Sequence, residues 1–280
     1  MKRVLIPIDF SNDSINALEY GIEMANYLNA NVRIMHVKTG INYIPAFAHD
    51  QAASRLNGQV ERWMDEVKEQ HLIKYQVPGG QLDYKLREGN VVHEISNQAK
   101  YDDSSLVVVG SHGESGFQDR WIGSNAFRLA AHSPCPVIVV GKGMKWNKGI
   151  RRIVVPIDYT KASRQKIPVL AGVAKHFNAR VDLVGLKQSN FQFIVKRIGQ
   201  FNKQVERFLR EKAGVDVRST IFSGKNLGQQ MVDYADRVEA DLITIHIHHS
   251  SNPFANLFRP FANELINRSK KPVFVIPTKE

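Results

Sequence analysis

The chain is written twice. The segment 3-RVLIPIDFS-11 returns as 152-RIVVPIDYT-160, an offset of 149 from Arg3 to Arg152. Next, 59-QVERW-63 returns as 204-QVERF-208 at an offset of 145, and 133-SPCPVIVV-140 returns as 269-SKKPVFVI-276 at an offset of 136. Order is kept while the offset falls, so the second copy has lost four residues before its QVER segment and nine after it. Ordered self-similarity of this kind means two copies of one domain. The length, 280 residues, accommodates two ordinary domains. The expected bounds are residues 1–142 and 150–280, joined through Gly141 to Gly149.

Within each copy, apolar runs alternate with helical spacing. Val4 to Ile8 reads as a strand, and Ile15, Leu18, Ile22, Ala25 and Leu28 then fall on one helical face. Strands follow at 32–37, 82–86, 106–109 and 137–140, with helices over 52–70, 91–99 and 124–131 between them. Copy two repeats the strands at 181–186, 217–222, 241–247 and 272–277. Alternation of this sort predicts an α/β fold with a parallel sheet and helices on both faces. The strands are almost continuously apolar, as strands covered on both faces are. Hydrophobic residues make up 43% of the chain, enough for a sizeable core.

In such a sheet a ligand is expected beyond the carboxyl ends of the strands, near the switch in strand order. There the first strand ends in Pro7-Ile8-Asp9 and the fourth in Val109-Gly110-Ser111. After the fourth strand comes Gly110, two residues, Gly113, nine residues, Gly123, then Ser124 and Asn125. Glycine lacks a Cβ, so backbone N–H groups can approach an oxyanion closely. Ser124 and Asn125 open the next helix, whose unpaired N–H groups and positive dipole end favour phosphate. An acidic residue across the pocket suits sugar hydroxyls. GxxxxGK[ST] is absent, so this is not a P-loop.

This spacing, with PIDFS on the first strand, closely resembles the universal stress protein family, over essentially the whole chain as two tandem copies. Nucleotide-binding members carry G-x2-G-x9-G-(S/T), matched here by Gly110, Gly113, Gly123 and Ser124. The resemblance implies two doubly wound, Rossmann-like domains, each a five-stranded parallel sheet of order 3-2-1-4-5. It also implies ATP binding in the first copy, with Mg²⁺ as an accompanying ion. Carried over by position, Pro7, Ile8 and Asp9 would line the adenosine end. Val37 would meet adenine through its backbone. Gly110, Ser111, Gly113, Gly123, Ser124 and Asn125 would hold ribose and phosphates. Arg120 is either one more phosphate contact or a solvated surface cation.

In the second copy, Gly110 becomes His246, Gly113 becomes His249, Gly123 becomes Arg259 and Ser124 becomes Pro260. Side chains stand where backbone had to approach a ligand, so this copy is expected not to hold ATP in the family manner. Asp158 persists at the end of its first strand. His246, His248 and His249 could ligate zinc, or could fill a collapsed pocket.

For catalysis the sequence offers little. His112 beside the glycines could act as a base or face solvent. Cys135, the only cysteine, lies between prolines and reads as a packing position. A regulatory, stress-related nucleotide-binding protein is therefore expected, with slow Mg²⁺-dependent ATP hydrolysis or autophosphorylation as the alternative. The formal charge of +11 favours anionic partners, yet the charges are scattered and no basic-aromatic platform is visible, which argues against nucleic acid. No apolar run approaches a membrane span. The start carries no signal-peptide cleavage pattern, and one cysteine suits a reducing compartment, so a cytoplasmic setting is expected. The resemblance further implies that Val137 to Val140 and Val273 to Ile276 meet within one chain, and a homodimer beyond that is left open. Residues 41–58 either cover the pocket or pack the long helix.

Overall fold

A computed structural model describes residues 2–39, 49–111, 124–187, 191–248 and 259–278. In the first half, β1 (Arg3–Pro7), α1 (Asn12–Leu28), β2 (Asn31–Lys38), α2 (His49–Leu72), β3 (Leu82–Glu88), α3 (Val91–Tyr101), β4 (Leu106–Gly110), α4 (Ser124–His132) and β5 (Val137–Val140) follow one another. The second half runs β6 (Arg152–Ile157), α5 (Ala162–Gln165), α6 (Ile167–Phe177), β7 (Arg180–Lys187), α7 (Gln192–Arg207), a π-helical turn over Phe208–Lys212, β8 (Val217–Ser223), α8 (Leu227–Arg237), β9 (Leu242–His248), α9 (Arg259–Arg268) and β10 (Val273–Thr278). The fold is the α/β arrangement that the repeats and their alternation predict.

The strands form one ten-stranded sheet in the order β3-β2-β1-β4-β5-β10-β9-β6-β7-β8. Neighbours within each half are parallel, for example Val4 opposite Val32 and Ile153 opposite Val181. At the centre β10 runs antiparallel to β5, with Val273 opposite Val139 and Val275 opposite Val137. Each half's final strand thereby covers the other's otherwise open edge.

Alternation of side chains across the strands divides the core into two layers. Val4 and Ile6 of β1 join Leu18 and Ile22 of α1 and Met64 of α2 on one face. Leu5 points the other way, to a layer holding Ile95 of α3 and Leu129 and Ala130 of α4. The second half repeats this: Val155 and Leu183 pack on the first face with Leu170, and Val154 packs on the other with Met231 and Leu265. Burying each such aliphatic side chain is worth roughly 1.5–3 kcal/mol.

Local signals set the helix ends. Ser11 caps α1 by accepting the Ser14 N–H, and Asn29 closes it in the left-handed region at φ 48°. Asn178 closes α6 in the same way at φ 50°, one of the few side chains that tolerates such a backbone.

The join between the halves is packed rather than loose. Trp146 is buried, its ring edge-on to Tyr20 at 5.4 Å and to Phe177 at 5.8 Å. Asn16 of α1 donates to the carbonyls of Gly141 and Met144. Cations are also tied down away from the rim where the strands finish. Arg33 grips Asp83 with two hydrogen bonds, at 2.7 and 2.6 Å, and reaches the buried Asp102 at 2.6 Å. Arg3 meets the same Asp102 at 3.1 Å. These contacts knit the starts of β1, β2 and β3 to the end of α3.

Candidate functional site

Parallel pairing puts the carboxyl ends of β1 and β4 side by side, since Val4 lies opposite Leu106 and Leu5 opposite Val107. Pro7 ends β1 beside Met35 of β2, and the buried Ile8 extends the ladder with an N–H to the Met35 carbonyl at 2.8 Å. His36 Nδ1 donates to the Ile8 carbonyl at 2.9 Å. A carbonyl only accepts, so the proton must sit on that nitrogen.

Asp9 is held in the turn that starts α1. One carboxylate oxygen accepts the Ser11 N–H at 3.1 Å and the Ser11 hydroxyl at 2.6 Å. The Asp9 N–H donates to the Ser14 hydroxyl at 3.2 Å. Between them Phe10 takes φ 64°, an outlying backbone for a bulky residue. Its ring lies 4.8 Å from His36 and 5.5 Å, edge-on, from Trp63. The sequence reading did not single out these three side chains. The signal for them lay in Phe10 directly following Asp9.

Gly110 ends β4 hard against α1. A Cβ built there would lie 2.8 Å from the Asp13 carbonyl oxygen and 3.2 Å from the Ser14 nitrogen. The absent side chain therefore lets the first turn of α1 settle on the sheet. Ser111 is buried, and its N–H donates to the Val140 carbonyl at 2.9 Å. Val37 is buried in β2, its side chain in the layer shared with α3 and α4. Ser124 is the first residue of α4, and Asn125 is exposed in its first turn. The structure thus brings Pro7, Ile8, Asp9, Gly110 and Ser111 to one rim, with α1 starting there. Gly113, Gly123, His112 and Arg120 lie outside the described residues, as do 41–48 of the segment read as a lid.

The second rim keeps the turn and changes what faces it. Asp158 accepts the Thr160 N–H at 2.6 Å and its hydroxyl at 2.5 Å, repeating the Asp9 and Ser11 pattern. Ser163 matches Ser14, its hydroxyl donating to the Asp158 carbonyl at 3.1 Å. At the position of Gly110, His246 places Nε2 3.6 Å from an Asp158 carboxylate oxygen and Nδ1 3.5 Å from Lys166 Nζ. Lys166 is 0% exposed and donates to the Pro156 carbonyl at 2.6 Å. Its counterpart in the first copy is Ala17. Burial pushes the Lys166 ammonium down to about 7, against the pull of Asp158. Burial also raises the Asp158 carboxyl, against the hydrogen bonds from Thr160.

The helix gives way accordingly. Where α1 runs unbroken, its counterpart is split at Lys166 into α5 and α6, with Pro168 in the first turn of α6. Proline lacks the N–H that a continuing helix needs there, and the His246 side chain takes the space that glycine had left. Lys166 is a residue sequence reasoning missed. Its signal was a lysine aligned with a core alanine. Among the described residues no group of three or more His, Cys, Asp or Glu is placed to hold a metal ion. His249 lies outside the described residues. Cys135 is buried, and burial raises its thiol.

Comparison with known proteins agrees with the repeat. The model of the universal stress protein family matches residues 1–141 and again 149–277. Universal stress protein YxiE of Bacillus subtilis is 31% identical over 148 residues, which span 49% of this chain and 97% of that protein. Universal stress protein A of Escherichia coli K12 is 23% identical over 141 residues, 46% of this chain and 96% of its own. Among solved structures, a universal stress protein from Archaeoglobus fulgidus DSM 4304 superposes with a TM-score of 0.78 at 19% identity, covering 98% of this chain and 96% of that one. A second, from Pseudomonas aeruginosa UCBPP-PA14, gives 0.62 at 12% identity, covering 99% and 93%. These two likenesses concern the fold. Among the described residues no helix is long and apolar enough to cross a membrane.

Proposed function

Because the chain belongs to the universal stress protein family, as two copies of its domain in tandem, we propose that it is a regulatory nucleotide-binding protein of the cytoplasm that holds ATP at the rim of its first domain alone. The domains are taken as residues 1–142 and 150–280. The observation that carries this reading is the contrast between two rims built on the same turn. The first has Gly110, Gly113, Gly123 and Ser124, whereas the second has His246, His249, Arg259 and Pro260.

In this reading Asp9 faces the ribose while its turn is kept by Ser11. Pro7, Ile8 and the Val37 backbone border the base. Gly110, Ser111, Gly113 and Gly123 carry the chain past the phosphates, with Ser124 and Asn125 at the start of α4 donating to them. The fit of a nucleotide rests on two helix starts, α1 and α4, that follow the paired strands β1 and β4. Helix starts present unpaired N–H groups and suit anionic oxygens. Mg²⁺, where it enters, is held mainly by phosphate oxygens and water, as this ion ordinarily is. With the Asp9 carboxylate engaged in its turn, the site is suited to binding rather than turnover.

Native mass spectrometry of freshly purified chain tests the reading. Wild type should retain one ATP, ADP or AMP, and Gly123→Arg should retain none. Retention undiminished by Gly123→Arg would remove the first rim as the site. Steady Mg²⁺-dependent phosphate release, lost in Ser124→Ala, would make the protein an ATPase instead.

A further inference from the structure

Among the described residues the ten-stranded sheet ends in two edges without a further strand neighbour, β3 and β8, and the two are guarded differently. Four of the seven residues of β3 are charged: Asp83, Lys85, Arg87 and Glu88. Only one of the seven in β8, Val-Arg-Ser-Thr-Ile-Phe-Ser, is charged: Arg218. Charged side chains are the usual device by which an exposed edge avoids pairing. The β8 strand itself carries little of that device while keeping an edge of equal length.

Backbone direction on β8 follows from its one strand neighbour. The Val181 N–H donates to the Asp216 carbonyl at 2.8 Å, so Asp216, Arg218, Thr220 and Phe222 turn their polar groups toward β7. By alternation the N–H and carbonyl groups of Val217, Ser219, Ile221 and Ser223 point outward. The carbonyls of Val217 and Ser223, at the two ends, are met by the side chains of Arg210 and Gln230. The middle pair, Ser219 and Ile221, presents its donors and acceptors to the edge. Ile221 is 54% exposed and lies beside Gly185 in register, on the face over which Ile198 and Asn202 of α7 pack.

We propose that β8 is a docking edge for a second copy of this chain, paired antiparallel about Thr220 so that the two sheets become one. A strand meeting its own copy across a twofold axis is self-complementary. Centred on Thr220, Ser219 exchanges both backbone hydrogen bonds with the partner subunit's Ile221, and Arg218 faces the partner subunit's Phe222 rather than a like charge. The same arrangement on β3, centred on Lys85, would set lysine against lysine, which disfavours it. The α7 helices then flank the seam from both chains.

Sedimentation velocity of the full chain over a dilution series tests this. Wild type should show a dimer that dissociates on dilution. Ser219→Pro removes an outward N–H and leaves the ladder to β7 intact; it should sediment as a monomer with an unchanged thermal midpoint, whereas Lys85→Ala should remain dimeric. Should Ser219→Pro lower the thermal midpoint, Ile221→Lys decides in the same way, since it places a charge on an exposed position. A wild-type chain that is monomeric throughout, or a dimer that survives the deciding variant, overturns the proposal.

Discussion

Gly110 and its counterpart His246 show how much one Cβ decides. In the first copy a methyl group would press on the Asp13 carbonyl at 2.8 Å, on backbone that can yield only by shifting the helix. Gly110→Ala should therefore destabilise the chain by about 1–3 kcal/mol, read as a lower denaturant midpoint with an unchanged slope. In the second copy the helix is split, His246 stands at the glycine's position, and Lys166 is buried beside it. Its pH signature has a definite sign. The folded value is about 7 against an ordinary 10.5, so between these pH values the unfolded chain binds a proton that the folded chain does not. Stability should then rise with pH from about 7 toward 10.5, and the penalty is fully present below 7. The raised Asp158 carboxyl acts oppositely on the acid side, where stability falls as pH rises through its window above 3.8. Thermal midpoints measured from pH 7 to 10 should climb in wild type and climb less steeply in Lys166→Met; equal slopes would remove Lys166 as their source.

Among the elements, strands and helices were legible because their two periods differ. The run Val4 to Ile8 and the helical spacing from Ile15 to Leu28 each have one reading; the observed β1 lies one residue earlier at either end, and α1 starts at Asn12 and ends at Leu28. The split of α1's counterpart into α5 and α6 was only half legible. Pro168 falls in the interior of an α1-like helix and signals a break there, but only the fold reveals that His246 and Lys166 converge beside it. The rim was half legible. Asp9 and Gly110 were identified by position, but the duties the structure gives them, a turn and a helix approach, are long-range packing facts that spacing does not carry. The Arg33 cluster was invisible for the same reason, because Asp83 and Asp102 lie far along the chain. Among the described residues, Arg33→Met leaves the buried Asp102 with Arg3 as its remaining ion-pair partner. It should cost about 3 kcal/mol, measured as loss of thermal stability without loss of nucleotide retention.

At the scale of the whole molecule, duplication built one sheet from two domains and left their rims to diverge. The seam between β5 and β10 and the buried Trp146 make the halves depend on each other. Trp146→Ala should cost about 3–5 kcal/mol and separate calorimetric unfolding into two transitions, whereas wild type should unfold in one. We propose that duplication left one nucleotide site per chain. Calorimetric titration of the full chain with ATP and Mg²⁺ tests it most directly. One site per chain is expected, lost in Gly123→Arg and kept in Lys166→Met. Two equivalent sites, or a single site that survives Gly123→Arg, would contradict it.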